Sequence, residues 1–274
     1  MIPAYNEEDY IAACLQAALG QAEPFYEIIV VDNNSTDNTA KIARSFHGVI
    51  VISEPQQGVV FARGAGFDAA RGDIIGRIDV DTLLSPSWSS QIMNTFTDTT
   101  LAAVSGRPVY YDVALPKFFT AVENFFRRTM VRELQDILFL QGANMAIKKS
   151  SWHQIKQHVC LRQNMHEDFD LAIHLQEYGH SVIYDDNLVA GLSARRIDVG
   201  FLSFMRYAGM SPHTYALHEV REGRRMYPVM VVTAIGWLPG RILYRGYNPV
   251  TDSFSFLRVF KRRKNLERPD PTRT

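Results

Sequence analysis

Between Glu27 and Asp32 the chain runs Ile28-Ile29-Val30-Val31, four aliphatic residues with a carboxylate at each end. An uninterrupted aliphatic run of that length suits a strand buried on both faces, which a parallel sheet with helices on either side provides. Asn33-Asn34-Ser35-Thr36-Asp37 follows as a turn and helix cap, and residues 38–46 read as helix. Residues 48–53 give the next strand, 61–71 an alanine-rich helix and 74–79 another strand. Strand and helix in alternation imply βαβ units with right-handed crossovers. The expected class is therefore α/β, an open and mostly parallel sheet flanked by helices. The first strand is the exception. Ile2-Pro3-Ala4 leads straight into a polar cap and a helix over 8–19, so a truncated start or a misassigned initiator Met is expected.

Further along, a strand is expected near 103–109, a long helix over 116–136, and an apolar run at 137–140 ending in Gln141-Gly142-Ala143-Asn144. After a strand at 182–184 the rhythm gives way to helices rich in Arg and aromatic residues. The division expected is 1–190 as an α/β unit and 191–274 as a basic, aromatic-rich helical extension. Charge follows the same division. The formal net charge is zero, yet residues 1–190 hold 14 Lys and Arg against 23 Asp and Glu, while residues 191–274 hold 15 against 6. A 46% hydrophobic content excludes a disordered or collagenous chain. Cys14 and Cys160 show no CxxC and no Cys/His spacing, so neither a zinc site nor a disulfide framework is expected, and a reducing compartment fits. The eight histidines likewise read as structural. No basic-then-apolar leader opens the chain. The charge-free stretch 226–240 is 15 residues, short of the roughly 20 that cross a bilayer, so an interfacial or buried segment is expected there.

Ligands of open parallel sheets bind beyond the carboxyl ends of the strands. The successive ends here carry Tyr5-Asn6-Glu7-Glu8, Asp32, Glu54 and Asp79-Val80-Asp81. Neither GxGxxG after a strand nor GxxxxGK[ST] occurs, so a diphosphate among these carboxylates needs a cation between them. Asp79 and Asp81, two residues apart at a strand end, can both reach one hard divalent cation. A second acidic group, His166-Glu167-Asp168-Phe169-Asp170, opens a helix. A carboxylate there satisfies the helix dipole, or takes a proton from an attacking hydroxyl.

IPAYNEE at 2–8, VVDNNSTDNT at 30–39, ARGAGFDAARGD at 62–73, DVD at 79–81, GAN at 142–144 and HED at 166–168 together resemble a family 2 glycosyltransferase of the GT-A fold. The resemblance covers about 180 residues, and its specificity lies in the order of loose motifs. It implies inverting transfer of a sugar, in the manner of a hexosyltransferase, from a nucleoside-diphosphate sugar to a hydroxyl acceptor, aided by Mg or Mn. On that resemblance Pro3, Ala4, Tyr5 and Glu7 line the nucleotide pocket and Asp32 contacts the base. Arg63 and Asp79 lie along the nucleotide, Asp81 sits on the metal with Asp79, and Asp168 is the catalytic base. Glu167 is the alternative base or an orienting group. Three departures count: the full hydrophobic strand that the family usually carries before IPAYNEE is missing, the family's ARN stands here as Ala62-Arg63-Gly64, and no QxxRW follows, Met205-Arg206-Tyr207 being a faint echo. A single transfer is therefore expected rather than polymer synthesis. The alternatives are a nucleotidyltransferase of related fold and a non-catalytic nucleotide-sugar-binding protein at a membrane.

For bland readings, Asp32 can serve as a cap, Tyr5 as packing and Arg63 as a solvated helix residue, while Arg195, Arg196 and Arg206 can bind phosphate. The tail combines basic groups with many aromatics and closes on Lys261-Arg262-Arg263-Lys264. It suits an anionic membrane surface and a lipid-linked, cell-envelope acceptor, on the inner face of the plasma membrane as a peripheral, cytoplasmic protein. The competing reading is a helical subdomain whose aromatics form a core. Nucleic acid is not an expected partner.

Overall fold

The computed structural model describes residues 1–133, 140–162 and 164–261. In chain order the elements are β1 (Ile2–Ala4), α1 (Ile11–Leu19), β2 (Ile28–Asp32), α2 (Thr39–Arg44), β3 (Val49–Ser53), α3 (Val59–Ala69), β4 (Ile74–Arg77) and β5 (Thr82–Leu84). There follow α4 (Trp88–Thr95), β6 (Leu101–Tyr110), α5 (Pro116–Glu133), β7 (Met145–Lys148), α6 (Lys149–Ile155), α7 (Glu167–Glu177), β8 (Ser181–Leu192), α8 (Phe201–Leu217) and α9 (Met226–Gly246). Expected elements at 134–139 and the basic residues Arg262, Arg263 and Lys264 lie outside the described residues.

β1, β2 and β3 form a parallel sheet in that order, with Ala4 opposite Asp32 and Asp32 opposite Ser53. Short as it is, β1 pairs along its whole length, and the backbone N–H of Ile78 donates to the Met1 carbonyl at 3.3 Å, tying this sheet to the second. The second runs β4-β7-β6-β8-β5. Parallel pairing is kept between β6 and β8, whereas β4 with β7, β6 with β7, and β5 with β8 are antiparallel. The α/β class stands, and the sheet is mixed and curled rather than mostly parallel. Alternation of strand and helix predicts parallel pairing only when each connection returns the chain to the opposite end of the sheet. The arm containing α5 brings β7 back at the end where β6 stops.

β2 shows why four aliphatics in a row were required. Successive side chains of a strand point to opposite faces, so Ile28 and Val30 pack with Ile11, Leu15 and Trp88. Ile29 and Val31 pack with Phe67, Met145 and Ile155 on the other face. A smaller cluster of Ile173, Tyr215 and Met226 joins α7 to the C-terminal helices. The charge-free stretch at 226–240 is only part of a longer helix. The helix runs on through Arg241 and Arg245, and among the described residues Gly223–Gly246 is long and apolar enough to cross a membrane by length and composition. Val231, Val232, Ile235 and Leu238 on it are exposed.

Candidate active site

The loops after β1 and β2 are locked to one another. Asn6 sits in the left-handed region at φ 53°, which Asn tolerates better than most residues. There its Oδ1 accepts from the Thr36 backbone N–H at 2.8 Å, and its own N–H donates to Ser35 Oγ at 3.1 Å. The Glu7 N–H donates to Thr39 Oγ1 at 2.7 Å. Pro3 and Tyr5 are half-buried, Ala4 is buried, and Asp32 stands beside Ala4 with its Oδ1 accepting the Ser35 N–H at 3.2 Å. Asp32 thus does organise its own turn, as the bland reading expects, while sharing one strand-end rim with Pro3, Ala4 and Tyr5.

Glu7 and Asp81 are gathered by one guanidinium. Arg195, in the short helical turn Arg195–Asp198 beyond β8, donates from Nη1 and Nη2 to the two Glu7 oxygens at 2.8 Å each, and from Nε to Asp81 Oδ2 at 2.5 Å. Its Cζ lies 4.2 Å from the centre of the Tyr10 ring. Burial works against the charge of Arg195, but Asp81 and Glu7 outweigh it and hold the proton more tightly than usual. Arg195 therefore neutralises carboxylates instead of standing open to a phosphate.

A second charged knot lies under the start of α7. Arg77, on β4, forms an ion pair with Glu167, its Nη1 2.5 Å from Oε1, and its Nη2 reaches Asp79 Oδ1 at 3.6 Å. Arg63 donates from Nη1 to both the Glu167 carbonyl and Oε2 at 2.6 Å. Arg63 is 0% exposed, so it is not the solvated helix residue of the bland reading. Two arginines on one carboxylate overcome the cost of burial and hold Glu167 below the usual carboxylate range. Asp168, the next residue, behaves oppositely. Burial first, and then the charge of Glu167, push its carboxyl up to about 6, although Arg77 and the Gly142 N–H pull the other way. That N–H donates to Asp168 Oδ2 at 2.9 Å. Two adjacent carboxyl groups are thus driven apart, one fixed as an anion and one poised near neutrality.

The Gly142-Ala143-Asn144 segment explains itself in this setting. A Cβ at Gly142 would lie 2.4 Å from Cζ of Arg77, so no other residue fits while Arg77 holds Glu167. Asn144 accepts from Trp88 Nε1 at 2.7 Å and donates to the Leu188 carbonyl at 3.0 Å, fixing the loop that presents Gly142. Arg77 escaped the sequence reading as a site residue. The available signal was a lone Arg inside the apolar run Ile74–Ile78, which a buried strand tolerates only with a partner.

The structure therefore brings Asp79, Glu167 and Asp168 together through Arg77, and Glu7 and Asp81 together through Arg195. Asp79 remains the more open of the strand-end pair, its side chain 27% exposed against 10% for Asp81. This all-carboxylate donor set suits a hard divalent cation, with Asp81 giving one oxygen to Arg195.

Comparison with known proteins agrees with this architecture. The chain is 34% identical over 132 residues to the glycosyltransferase AglE of Haloferax volcanii, covering 46% of this chain and 42% of that one. It is 35% identical over 108 residues to a chondroitin synthase of Pasteurella multocida, covering 38% of this chain and 11% of the other. It thus spans less than half the length of these relatives. A mannosyltransferase from Pyrobaculum calidifontis, solved in complex with GDP-Man and Mn2+, superposes with a TM-score of 0.64 at 21% identity, covering 89% of this chain and 70% of that one. S. aureus TarS 1-349 gives 0.55 at 12% identity, covering 89% and 82%. The fold is that of the GT-A glycosyltransferases. The profile of glycosyl transferase family 2 matches residues 1–155, which hold the strand-end carboxylates, Arg63, Arg77 and the Gly142 loop, and the chain belongs to that family.

Proposed function

We propose that the chain is an inverting glycosyltransferase that moves a sugar from a nucleoside-diphosphate sugar to a hydroxyl acceptor. The observation that carries this is the split pair at the start of α7: Glu167 clamped as an anion and Asp168 raised to about 6 beside the strand-end carboxylates. An inverting transfer needs one base on the acceptor side, ionised near neutral pH yet basic enough to take a proton. Asp168 fills that role, aimed by the Gly142 N–H, and Glu167 orients rather than reacts. The acceptor oxygen bonds to the anomeric carbon while the bond to the diphosphate breaks, and the hydroxyl proton passes to Asp168. Pro3, Ala4 and Tyr5 with Asp32 form the nucleotide pocket, and Glu7 shapes it through Arg195. Asp79 and Asp81 would hold Mg2+ or Mn2+, which when bound neutralises the diphosphate as it leaves.

The test begins with binding. Nucleoside diphosphates should raise the thermal midpoint of the parent in Mn2+ but not in chelator, the gain reaching about 2.7 kcal/mol at a ligand concentration of 100 times Kd. Asp79→Asn should abolish the Mn2+-dependent part, and an equal shift in parent and variant would remove the metal site from Asp79. Turnover then separates the readings: sugar transfer with release of a nucleoside diphosphate supports the proposal, whereas pyrophosphate release from a nucleoside triphosphate marks a nucleotidyltransferase.

Residues 1–190 would form the catalytic unit and 191–274 a helical extension that lends it Arg195. The exposed apolar side chains of α9, with Phe201 and Leu202 at the start of α8 and Phe256, Leu257 and Phe260 beyond it, support peripheral attachment at an anionic, cytoplasmic membrane face with a lipid-linked acceptor. Ile235 is 73% exposed, and Ile235→Glu should lower co-sedimentation with anionic liposomes several-fold without changing the far-UV spectrum. Equal sedimentation of parent and variant would remove α9 from that surface.

A further inference from the structure

Away from the sugar-transfer site, four side chains from distant parts of the sequence converge. Cys160 lies in the loop after α6, Asp170 and His174 are one turn apart on α7, and His218 caps the end of α8. One ligand atom from each falls within 4.8 Å of the others. Cys160 Sγ is 3.9 Å from His218 Nε2, His218 Nε2 is 2.9 Å from Asp170 Oδ1, and His174 Nε2 is 3.4 Å from the same oxygen. Asp170 is completely buried and His174 is buried.

We propose that Cys160, Asp170, His174 and His218 form a tetrahedral site for one zinc ion that staples α7 to the end of α8. With Zn–N and Zn–O near 2.0–2.1 Å and Zn–S near 2.3 Å, a tetrahedron has N···O edges of about 3.3 Å and S···N edges of about 3.6 Å. The two N···O spacings, 2.9 and 3.4 Å, fall on either side of that edge, the S···N spacing of 3.9 Å is slightly long, and all four ligand atoms lie within 4.8 Å of one another. Two further features point the same way. His174 Nε2, buried and aimed into the cluster, makes no hydrogen bond, its 3.4 Å approach to Asp170 Oδ1 being an ion-pair contact only. Its other nitrogen, Nδ1, lies 2.9 Å from Glu177 Oε2, the carboxylate–histidine arrangement that orients a metal-bound imidazole. The Cys160 backbone N–H also donates to Asp170 Oδ2 at 3.1 Å, which fixes the loop so that its sulfur faces the histidines.

Four protein ligands leave no open position, so the role is structural. Binding converts the Cys160 thiol to a thiolate and releases its proton to solvent. The ion would fix the turn of α7 that follows Glu167 and Asp168, and so make the C-terminal helices part of what positions that helix. Sequence spacing does not point to this cluster, because only Asp170 and His174 show helical spacing, while Cys160 and His218 are brought in by tertiary packing.

The test is cobalt titration of the full chain after stripping with a chelator. The expected result is a thiolate-to-cobalt charge-transfer band with intense tetrahedral visible bands, saturating at one equivalent and bleached by zinc. Cys160→Ser should remove the charge-transfer band, His218→Ala should weaken binding at least about tenfold, and Cys14→Ala should keep both. Cobalt at Asp79 and Asp81 would give only weak octahedral bands, unaffected by Cys160→Ser. Absence of the charge-transfer band in the parent, or its survival in Cys160→Ser, overturns the proposal; the parent titration alone decides if a variant fails to fold.

Discussion

Asp168→Asn should lower the transfer rate by about 10³-fold, within the range that a positioned general base supplies, while nucleotide binding stays within a few-fold of the parent. The amide keeps the shape and the contact to Gly142 but cannot take a proton. In the parent, kcat should fall on the acid side with a midpoint near 6, because Asp168 must be ionised to act and its carboxyl is held up to about 6. The same shift has a consequence for stability. Between the unfolded carboxyl value and about 6, the folded chain keeps a proton that the unfolded chain has lost, so this group's contribution to stability declines as pH rises through that window. Asp168→Asn should therefore be more stable than the parent at pH 7, by about 1–2 kcal/mol, seen as a higher urea midpoint. Loss of activity together with loss of stability would argue for a structural role instead. An unchanged rate would remove Asp168 as the base.

Arg195→Met should destabilise the chain by about 3–5 kcal/mol, the usual result of removing one partner from a buried ion pair. The penalty arises because Glu7 and Asp81 would be left facing each other with their shared counter-charge gone. Part of the loss should return in Mn2+, since a divalent cation at Asp81 supplies the missing positive charge, and urea unfolding with and without Mn2+ measures both quantities. Arg195→Lys should lie between parent and Met, because one ammonium cannot reproduce three directed bonds. A cost under about 1 kcal/mol for Arg195→Met would mean the cluster is solvated rather than buried. A full cost with no Mn2+ rescue would separate Asp81 from the metal site.

Much of the site was legible because its signals were local. Asp79 and Asp81 stand at the end of an apolar run, and the position of a strand end is fixed by where aliphatic residues stop. Glu167 and Asp168 open a periodic helix in the same way. Their opposite roles were not legible, because adjacent residues of identical chemistry differ only in what tertiary packing sets against them: Arg63 and Arg77 around Glu167, burial and one amide N–H around Asp168. The burial of Arg63 was not legible for the same reason. A helix position in sequence does not say which face is buried when alanine and glycine surround it, and α3 turns Arg63 inward.

The local pattern of aliphatic runs, caps and turn residues determined the α/β class, the order of elements through β4 and the identity of the carboxylates at the strand ends. Those features depend on interactions between neighbours in the chain, which a sequence displays directly. Strand direction in the second sheet, the gathering of Glu7 with Asp81 by Arg195, and the meeting of Cys160 with His218 were decided only by tertiary structure. Each joins residues far apart in sequence through a charge or a hydrogen bond that burial makes obligatory, and burial is a property of the folded chain.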